Sequence, residues 1–447
     1  MTEAVILIPG IMGSVLKDGN NMVWPGSVTE LVLPYNHMAE LLKPDLVAFD
    51  VIRSVSISSQ YDNLISSLEQ CGFHEADPDP TLKVFPYDWR KDNALAAISL
   101  ADCIDNMARQ LGTDTEVNLV AHSMGGLIGR FYLESGLYTE RPGFSCVKRL
   151  ITLGTPHRGS PLALMAALGQ ERRLFLNADQ VRVIASHEKY PSLYQLLPPI
   201  GEPFAWNRDE RYAPVNIYDR SIVKRLGLEE KNIVSAEQFH AKLDLKKRPT
   251  NVRYFFFAGT RQTTISSVQI KFSASGVPRV IRVDHDDAGD GTVPVWSGSQ
   301  PGIQMEPVGG AHGDIYKNQT LKQVLGTLLG KPGVLAAVGA LPELSVRHVV
   351  VEPGDSTQAT IDFPQNTTRV NGELQLRRKV DNAGVSQPEA KVISKYPISY
   401  SGAPIDHLSI LINAPDYAGI YELGFAEAGN AYIATTELFV QEPVRSD

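Results

Sequence analysis

The chain has 447 residues, of which 43% are hydrophobic and 21% are charged, and its formal net charge at pH 7 is −8. This composition is that of an ordinary globular protein, and the length allows two or three domains. The acidic balance argues against a nucleic-acid partner, which usually needs a basic face, and it provides no general attraction to anionic lipid.

The N-terminus reads MTEAVILIPG and has neither the basic segment nor the long apolar segment of a secretory signal. No stretch approaches the ~18 apolar residues that a membrane-spanning helix needs. The three cysteines, Cys71, Cys103 and Cys146, match no metal motif, and their odd number favours free thiols in a reducing compartment. We therefore expect a cytoplasmic protein.

Four short apolar runs, each followed by a turn, have the pattern of parallel strands that are buried on both faces. They are AVILIPG (4–10), VNLVAHS (117–123), VKRLITLGTP (147–156) and VRYFFFAGT (252–260). Helical patterns lie between them, in DNALAAISLADCIDNMARQLG (92–112) and GGLIGRFYLESG (125–136). Strands that alternate with helices predict an α/β fold with a doubly wound sheet.

Two long segments, at about residues 17–55 and 160–250, interrupt this alternation. Insertions of this length are often lids or binding loops, so we predict that they cap a first domain spanning residues 1–335. The apolar, proline-rich stretch 190–204 would either line an apolar cleft or pack on the core.

The pattern changes near residue 345 to short alternating runs, such as TQATIDFP and GELQLRRKV, separated by Gly, Pro, Asn and Asp. This rhythm predicts an all-β, immunoglobulin-like sandwich over residues 345–447. Asp416, Gly419 and Tyr421 resemble the tyrosine corner of such domains. The sequence leaves open whether this domain binds a protein partner.

Ser123 stands between a predicted strand and a predicted helix, which is the setting of a nucleophile elbow. The residues two before and two after such a serine must be small, because strand and helix approach each other closely there. Ala121 and Gly125 meet this requirement, although the common pattern has glycine at both positions. The pattern favours a nucleophile over a structural helix N-cap.

An elbow serine needs a general base, and in this fold an acid and then a histidine follow it along the chain. Four histidines lie far enough downstream to follow such an acid: His285, His312, His348 and His407. The last two fall in the predicted sandwich. We predict His312 as the base, because VGGAHGD places it in a loop after a Gly-Gly turn.

The acid should come from RVDHDDAGDGTVPVWS. Asp290 is the first choice, because the Gly-Thr-Val-Pro turn behind it could fix a carboxylate at the sheet edge, and Asp287 is the second. Such a group of carboxylates can also bind a divalent cation, and this alternative stays open. We expect that the protein uses neither a metal nor a cofactor.

The tetrahedral intermediate needs backbone N–H donors, typically one after the nucleophile and one from an earlier strand-end loop. Met124 follows Ser123, and PGIMGS (9–14) is the earlier loop. We predict the N–H groups of Ile11 and Met124 as these donors. A phosphate-binding loop is disfavoured, because no GKS or GKT follows.

Seven motifs, taken in order, resemble the lecithin:cholesterol acyltransferase-like branch of the α/β-hydrolases over about residues 3–330. They are VILIPGIMGSVL, FPYDWR, LVAHSMGGLIGRFYL, LGTPHRGSP, PSLYQLLP, GDGTVPVWSG and GGAH. The resemblance implies an α/β-hydrolase fold and a serine esterase acting on lipid acyl chains. It carries over Ser123, Asp290 and His312 as the triad, and Ile11 and Met124 as the oxyanion donors.

The chain also departs from this branch. Secreted members have a disulfide near the first lid, and the stretch around Trp24 has no cysteine. The sandwich lies outside the resemblance. We expect YDWR (87–90) and His157 to have structural roles.

Three functions follow from these patterns. The first is a hydrolase of lipid or other esters, which would touch a membrane surface transiently to reach a lipid. The second is an acyltransferase that passes the same acyl group to an alcohol. The third is a non-catalytic module that binds lipid or a protein partner.

Overall fold

The computed structural model describes residues 2–27, 30–55, 58–59, 61–76, 78–112, 114–272, 277–335, 341–381, 385, 392–427 and 431–443. In this part of the chain there are twenty strands: β1 (Glu3–Ile8), β2 (Ser14–Asp18), β3 (Asn21–Trp24), β4 (Val47–Val51), β5 (Ser54–Val55), β6 (Ser58–Ser59), β7 (Leu82–Val84), β8 (Glu116–His122), β9 (Val147–Leu153), β10 (Ala205–Asn207), β11 (Arg253–Thr260), β12 (Gln262–Lys271), β13 (Arg279–Gly289), β14 (Gln304–Gly309), β15 (Glu343–Val346), β16 (Val350–Val351), β17 (Ser356–Val380), β18 (Val392–Asn413), β19 (Gly419–Glu427) and β20 (Ala434–Val440). The same part contains ten α-helices: α1 (Met38–Leu41), α2 (Asp62–Gln70), α3 (Asn93–Leu111), α4 (Met124–Glu134), α5 (Pro161–Ala167), α6 (Ala178–Ala185), α7 (Arg220–Leu226), α8 (Glu230–His240), α9 (Val295–Gly298) and α10 (Gln319–Leu328). Residues 336–340, between the two predicted domains, lie outside the described residues.

The central sheet has six strands in the order β14-β11-β9-β8-β1-β7, and every neighbouring pair is parallel. The four apolar runs predicted as parallel strands are β1, β8, β9 and β11, and they lie side by side in the middle of this sheet. The prediction of an α/β fold with a parallel sheet is therefore confirmed. The edge strands β7 and β14 were not predicted.

Both faces of the sheet are covered by helices. Ala4, Ile6 and Ile8 of β1 pack in one core with residues of α3 and α4. Val5 and Leu7 point the other way and pack in a second core with residues of α2 and α10. Alternate side chains of one strand thus enter different cores, which is why the strand reads as a continuous apolar run.

The two long segments contribute no strand to the central sheet. Strands β2, β3 and β4 form a small separate sheet at the first segment, and the second segment is largely helical, with α5 to α8 and the short strand β10. Strand β10 pairs with the β12–β13 hairpin, which was not predicted. None of the helices in the described residues is long and apolar enough to cross a membrane.

Helix α4 carries a buried ion pair. The side chains of Arg130 and Glu134 are 3% and 0% exposed, and they form two hydrogen bonds, Nε to Oε1 at 2.8 Å and Nη2 to Oε2 at 2.9 Å. Arg130 also donates to the His157 carbonyl at 3.3 Å. The pair therefore ties the helix behind Ser123 to the loop that follows β9.

The C-terminal region is all-β, as predicted, and strands β15 to β20 form one connected sheet. The runs TQATIDFP and GELQLRRKV are not separate strands, and the prediction of a break between them is wrong. Both belong to β17, whose pairing with β18 changes register between Asp362 and Arg369. Such a register shift bends a strand without ending it. β17 is therefore one long strand where the sequence predicted two short ones. The Tyr421 hydroxyl donates to the Tyr417 carbonyl at 2.6 Å, as in a tyrosine corner.

Polar contacts join the C-terminal region to the rest of the chain. Arg261, between β11 and β12, lies 2.9 Å from both Asp362 and Asp406. The Gln441 amide donates to the Leu33 carbonyl and accepts from the Arg172 guanidinium, both at 2.8 Å. The C-terminal region is thus bonded both to the connection between β11 and β12 and to the two long segments.

Candidate active site

Ser123 lies in a sharp turn between β8 and α4. Its backbone has φ 52° and ψ −126°, a left-handed conformation that a non-glycine residue rarely adopts. A Cβ on Gly125 would lie 2.5 Å from the Pro9 carbonyl oxygen, and Ala121 is fully buried. The predicted elbow is therefore present, and the close approach of β1 explains why the residue two after the serine lacks a side chain.

Three predicted residues from distant parts of the sequence meet at this turn. His312 Nε2 lies 2.8 Å from Ser123 Oγ, and His312 Nδ1 lies 2.8 Å from Asp290 Oδ2. The other carboxylate oxygen, Asp290 Oδ1, accepts the N–H groups of Thr292 at 3.0 Å and Val293 at 2.7 Å. These two N–H groups belong to the predicted Gly-Thr-Val-Pro turn, which therefore fixes the carboxylate. The Asp290 residue is 1% exposed.

The alternative acid does not reach His312. Asp287 Oδ1 lies 3.2 Å from His407 Nε2, and the Asp287 side chain is 62% exposed. Asp284 is paired with Arg282 and Arg347, each at 2.7 Å. Among the described residues no three metal-binding side chains form a group. The structure thus brings Asp290, and not Asp287, to the histidine.

The loop after β1 lies against Ser123. A Cβ on Gly10 would be 2.8 Å from the Ser123 Cβ, and Ile11 lines the cavity above the serine. Met124 is the first residue of α4, where N–H groups have no acceptor within the helix. The Trp24 indole donates to the Met12 carbonyl at 2.9 Å and so anchors the loop to β3. Ile11 and Met124 therefore both flank Ser123.

Tyr61 and His122 connect this loop to His312, and neither residue was predicted from the sequence to belong to the site. The Gly10 N–H donates to the Tyr61 hydroxyl at 2.8 Å, and that hydroxyl lies 2.8 Å from His122 Nδ1. His122 Nε2 lies 3.0 Å from the His312 carbonyl oxygen. Burial lowers the pKa of His122 to about 3, so the ring is neutral at pH 7. A neutral ring satisfies both contacts when it accepts at Nδ1 and donates from Nε2.

Tyr61→Phe is expected to lower the free energy of unfolding by about 1–3 kcal/mol, because the Gly10 N–H and His122 Nδ1 would both lose a buried partner. Urea denaturation followed by circular dichroism measures this change. Tyr212→Phe is the control: this tyrosine is 53% exposed, and a change below about 0.5 kcal/mol is expected. Equal stability of the two variants would contradict a structural role for the Tyr61 hydroxyl.

YDWR and His157 make structural contacts, as the sequence predicted. Arg90 is fully buried, and its guanidinium donates to Asp88 Oδ2 at 2.6 Å and to the Lys43 carbonyl at 2.9 Å. The Tyr87 hydroxyl donates to the Pro9 carbonyl at 2.9 Å. His157 Nε2 lies 2.9 Å from Thr152 Oγ1, and burial lowers the pKa of this histidine. These residues support the walls around Ser123.

A cavity of about 230 Å³ opens above Ser123. Its apolar wall comes mainly from the second long segment: Leu162, Ala163, Ala166, Phe175, Val181, Ile184, Leu193 and Leu196. Of the stretch 190–204, Tyr190, Leu193 and Leu196 reach this wall, while Leu197 packs in the core. Both expectations for the stretch therefore hold in part.

The C-terminal region closes the other side of the cavity with Val346, Arg347, His348, Val349, Val350, Thr436, Glu437 and Phe439. His348, which falls in the predicted sandwich and for which the sequence indicates no role, lines this cavity. This contribution could not be predicted from the sequence, because nothing in a β-strand pattern indicates which face meets the rest of the chain.

Solved structures with similar folds are distant in sequence. A chain of the Tle4-Tli4 complex is 16% identical with a TM-score of 0.48, covering 75% of this chain and 99% of its own length. The lin2722 gene product of Listeria innocua is 11% identical with a TM-score of 0.33, covering 74% and 95%. The metagenomic carboxyl esterase MGS0156 is 12% identical with a TM-score of 0.31, covering 70% and 64%. No curated protein matches the chain.

A sequence profile gives the assignment that these distant structures leave open. The profile described as lecithin:cholesterol acyltransferase matches residues 46–276, which is more than half of the chain. The matched range contains the elbow, the whole second long segment and only the end of the first. The sheet topology around it is that of an α/β-hydrolase. The chain belongs to the lecithin:cholesterol acyltransferase family.

Proposed function

We propose that the protein is a serine acyl hydrolase that cleaves lipid esters through an acyl-enzyme. The observation that carries the proposal is the hydrogen-bonded series from Ser123 through His312 to Asp290, with 2.8 Å at each step, at the base of a cavity. Nucleophile, base and orienting acid within hydrogen-bond reach of each other are the geometric signature of an activated serine.

In this mechanism His312 Nε2 takes the proton of the Ser123 hydroxyl while Oγ attacks the ester carbonyl. Asp290 holds the imidazole with Nδ1 protonated and stabilises the imidazolium that forms. The N–H groups of Ile11 and Met124 stabilise the developing oxyanion. His312 then gives its proton to the leaving alcohol, and a water activated by the same histidine releases the acyl group as an acid.

The apolar wall supports an acyl chain as the group that is transferred. Leu162, Val181 and Ile184 would cover a hydrocarbon chain and remove its surface from water. Family membership also favours a second function, in which an alcohol and not water accepts the acyl group. Both functions use the same acyl-enzyme, and product analysis with a diacylglycerol acceptor separates them.

The proposal is tested by covalent labelling with a fluorophosphonate. We expect the wild type to gain one adduct, located on the peptide that contains Ser123, and Ser123→Ala to gain none. Ser99→Ala removes a serine on the exposed side of α3 and should label like the wild type. With mixed phospholipid and diacylglycerol vesicles, mass spectrometry should detect released fatty acid for the wild type and Ser99→Ala only. Labelling of Ser123→Ala at another residue would refute the assignment.

A further inference from the structure

Residues 153–155, at the end of β9, bind the turn that contains Ser123. The Ser123 N–H donates to the Leu153 carbonyl at 2.9 Å. The Thr155 hydroxyl donates to the Ser123 carbonyl at 2.8 Å. Both backbone polar groups of Ser123 therefore have a partner in this short segment, and the second bond comes from a side chain.

The Thr155 hydroxyl acts on a strained part of the backbone. Ser123 has φ 52° and ψ −126°, and a non-glycine residue keeps such a conformation only where the surrounding structure determines it. The angle ψ sets the direction of the Ser123 carbonyl. That carbonyl accepts the Thr155 hydroxyl and also the Gly126 N–H at 3.0 Å. Loss of the hydroxyl would thus weaken the contacts that hold this angle.

The position of Thr155 also explains the second glycine of the pair that follows Ser123. A Cβ on Gly126 would overlap Thr155 Oγ1 and would lie 2.9 Å from Thr155 Cβ. The hydroxyl can therefore reach the Ser123 carbonyl only because residue 126 has no side chain. Thr155 is 1% exposed, and it is not among the described residues that line the cavity. Its contacts are with the turn and not with the space above it.

The same segment packs against the other two candidate catalytic residues. The Gly154 N–H donates to the Phe257 carbonyl of β11 at 2.8 Å. A Cβ on Gly154, which has φ 59°, would lie 3.1 Å from Asp290 Oδ2 and 3.3 Å from His312 Nδ1. Residues 153–155 thus touch Ser123 and the Asp290–His312 pair, and they fix the separation between them.

We propose that Thr155 is a positioning residue, whose hydroxyl holds the strained turn so that Ser123 Oγ stays within hydrogen-bond distance of His312 Nε2. The inference rests on the proposed function, because it concerns the serine that would attack the ester. Thr155 acts through Ser123, so its loss lowers the rate of attack and leaves substrate binding unchanged. A shift of about 1 Å between reacting groups can lower a rate by about a hundredfold.

Thr155→Val tests this role, because it keeps the branched shape of the side chain and removes the hydroxyl. We expect kcat for dihexanoylglycerol, measured by release of hexanoic acid, to fall by about ten- to a hundredfold, with KM within about twofold of the wild type. The rate of fluorophosphonate labelling of Ser123 falls by a similar factor. Thr155→Ser keeps the hydroxyl and recovers most of both rates. Thr155→Ala, which adds no atoms to the buried site, repeats the loss if Thr155→Val does not fold.

Thr115→Val is the matched control. Thr115 is also 1% exposed, and it directly precedes β8, at the end of the strand opposite Ser123. Its hydroxyl has no hydrogen-bond partner among the residues that the structure describes. The control makes the same chemical change in a buried threonine, and we expect kcat and the labelling rate to stay within about twofold of the wild type. An equal loss of kcat in both variants would contradict the inference.

Failure of this inference and failure of the proposed function give different results. A kcat unchanged by Thr155→Val, a change in KM alone, or a loss that Thr155→Ser does not recover overturns the inference and leaves the hydrolase proposal intact. If the wild type neither hydrolyses the lipid nor reacts with the fluorophosphonate, the hydrolase proposal fails. Crystal structures of the wild type and Thr155→Val then decide the inference. Displacement of Ser123 Oγ from His312 Nε2 in the variant alone supports it, and the same hydrogen bond in both refutes it.

Discussion

Asp290→Asn is expected to lower kcat by about 10⁴-fold with little change in KM. The amide keeps the shape of the carboxylate, and its oxygen can still accept the N–H groups of Thr292 and Val293. It can no longer stabilise a positive imidazolium, and an amide NH₂ facing Nδ1 would favour the tautomer that leaves Nε2 protonated. His312 would then be unable to accept the proton of Ser123. Steady-state hydrolysis of dihexanoylglycerol measures the effect.

The matched control is Asp287→Asn, three residues earlier in the chain. Asp287 is exposed and lies beside His407 of the C-terminal region. We expect this variant to keep kcat within about twofold, because its carboxylate contacts no catalytic group. If Asp287→Asn lost more activity than Asp290→Asn, the acid would have been assigned to the wrong residue.

Glu134→Gln is expected to lower the free energy of unfolding by about 3–5 kcal/mol. The change leaves the fully charged Arg130 guanidinium buried without its carboxylate in α4. The amide can accept a hydrogen bond but cannot offset the charge, and water cannot reach a side chain that is 3% exposed. Urea denaturation measures the loss of stability. Fluorophosphonate labelling of Ser123 without urea checks that the variant has the native fold.

A double variant, Arg130→Met with Glu134→Leu, separates loss of the ion pair from loss of packing. Both new side chains are apolar and similar in length, so no charge is left unpaired. We expect the double variant to be more stable than Glu134→Gln alone, because the cost arises from the orphaned charge. A double variant at least as unstable as the single one would show that packing around α4 dominates.

Elements with a strong local pattern were predictable from the sequence. Strands β1, β8, β9 and β11 are buried on both faces, and this burial imposes the apolar runs that reveal them. Helix α3 begins after Asp92, whose side chain accepts the Ala94 N–H, and ends before Gly112 with φ 101°. Edge strands such as β7, with alternating burial over three residues, are too short to show a period.

The candidate catalytic residues were predictable for a related reason. Ser123, Asp290 and His312 each follow or lie within a turn that needs small residues, so glycine marks their positions. Tyr61 lies at the start of an ordinary amphipathic helix, and its role depends on hydrogen bonds to residues far away in the chain.

The cavity wall provided by β20 has a consequence for synthesis on the ribosome. Thr436, Glu437 and Phe439 are translated long after Ser123 and His312. Even if the central sheet folds while the chain is still being made, the cavity keeps one open side until this last strand docks. On the proposed function, a nascent chain therefore brings Ser123 and His312 together before it can enclose an ester, and hydrolysis of an enclosed ester begins only when translation has passed β20.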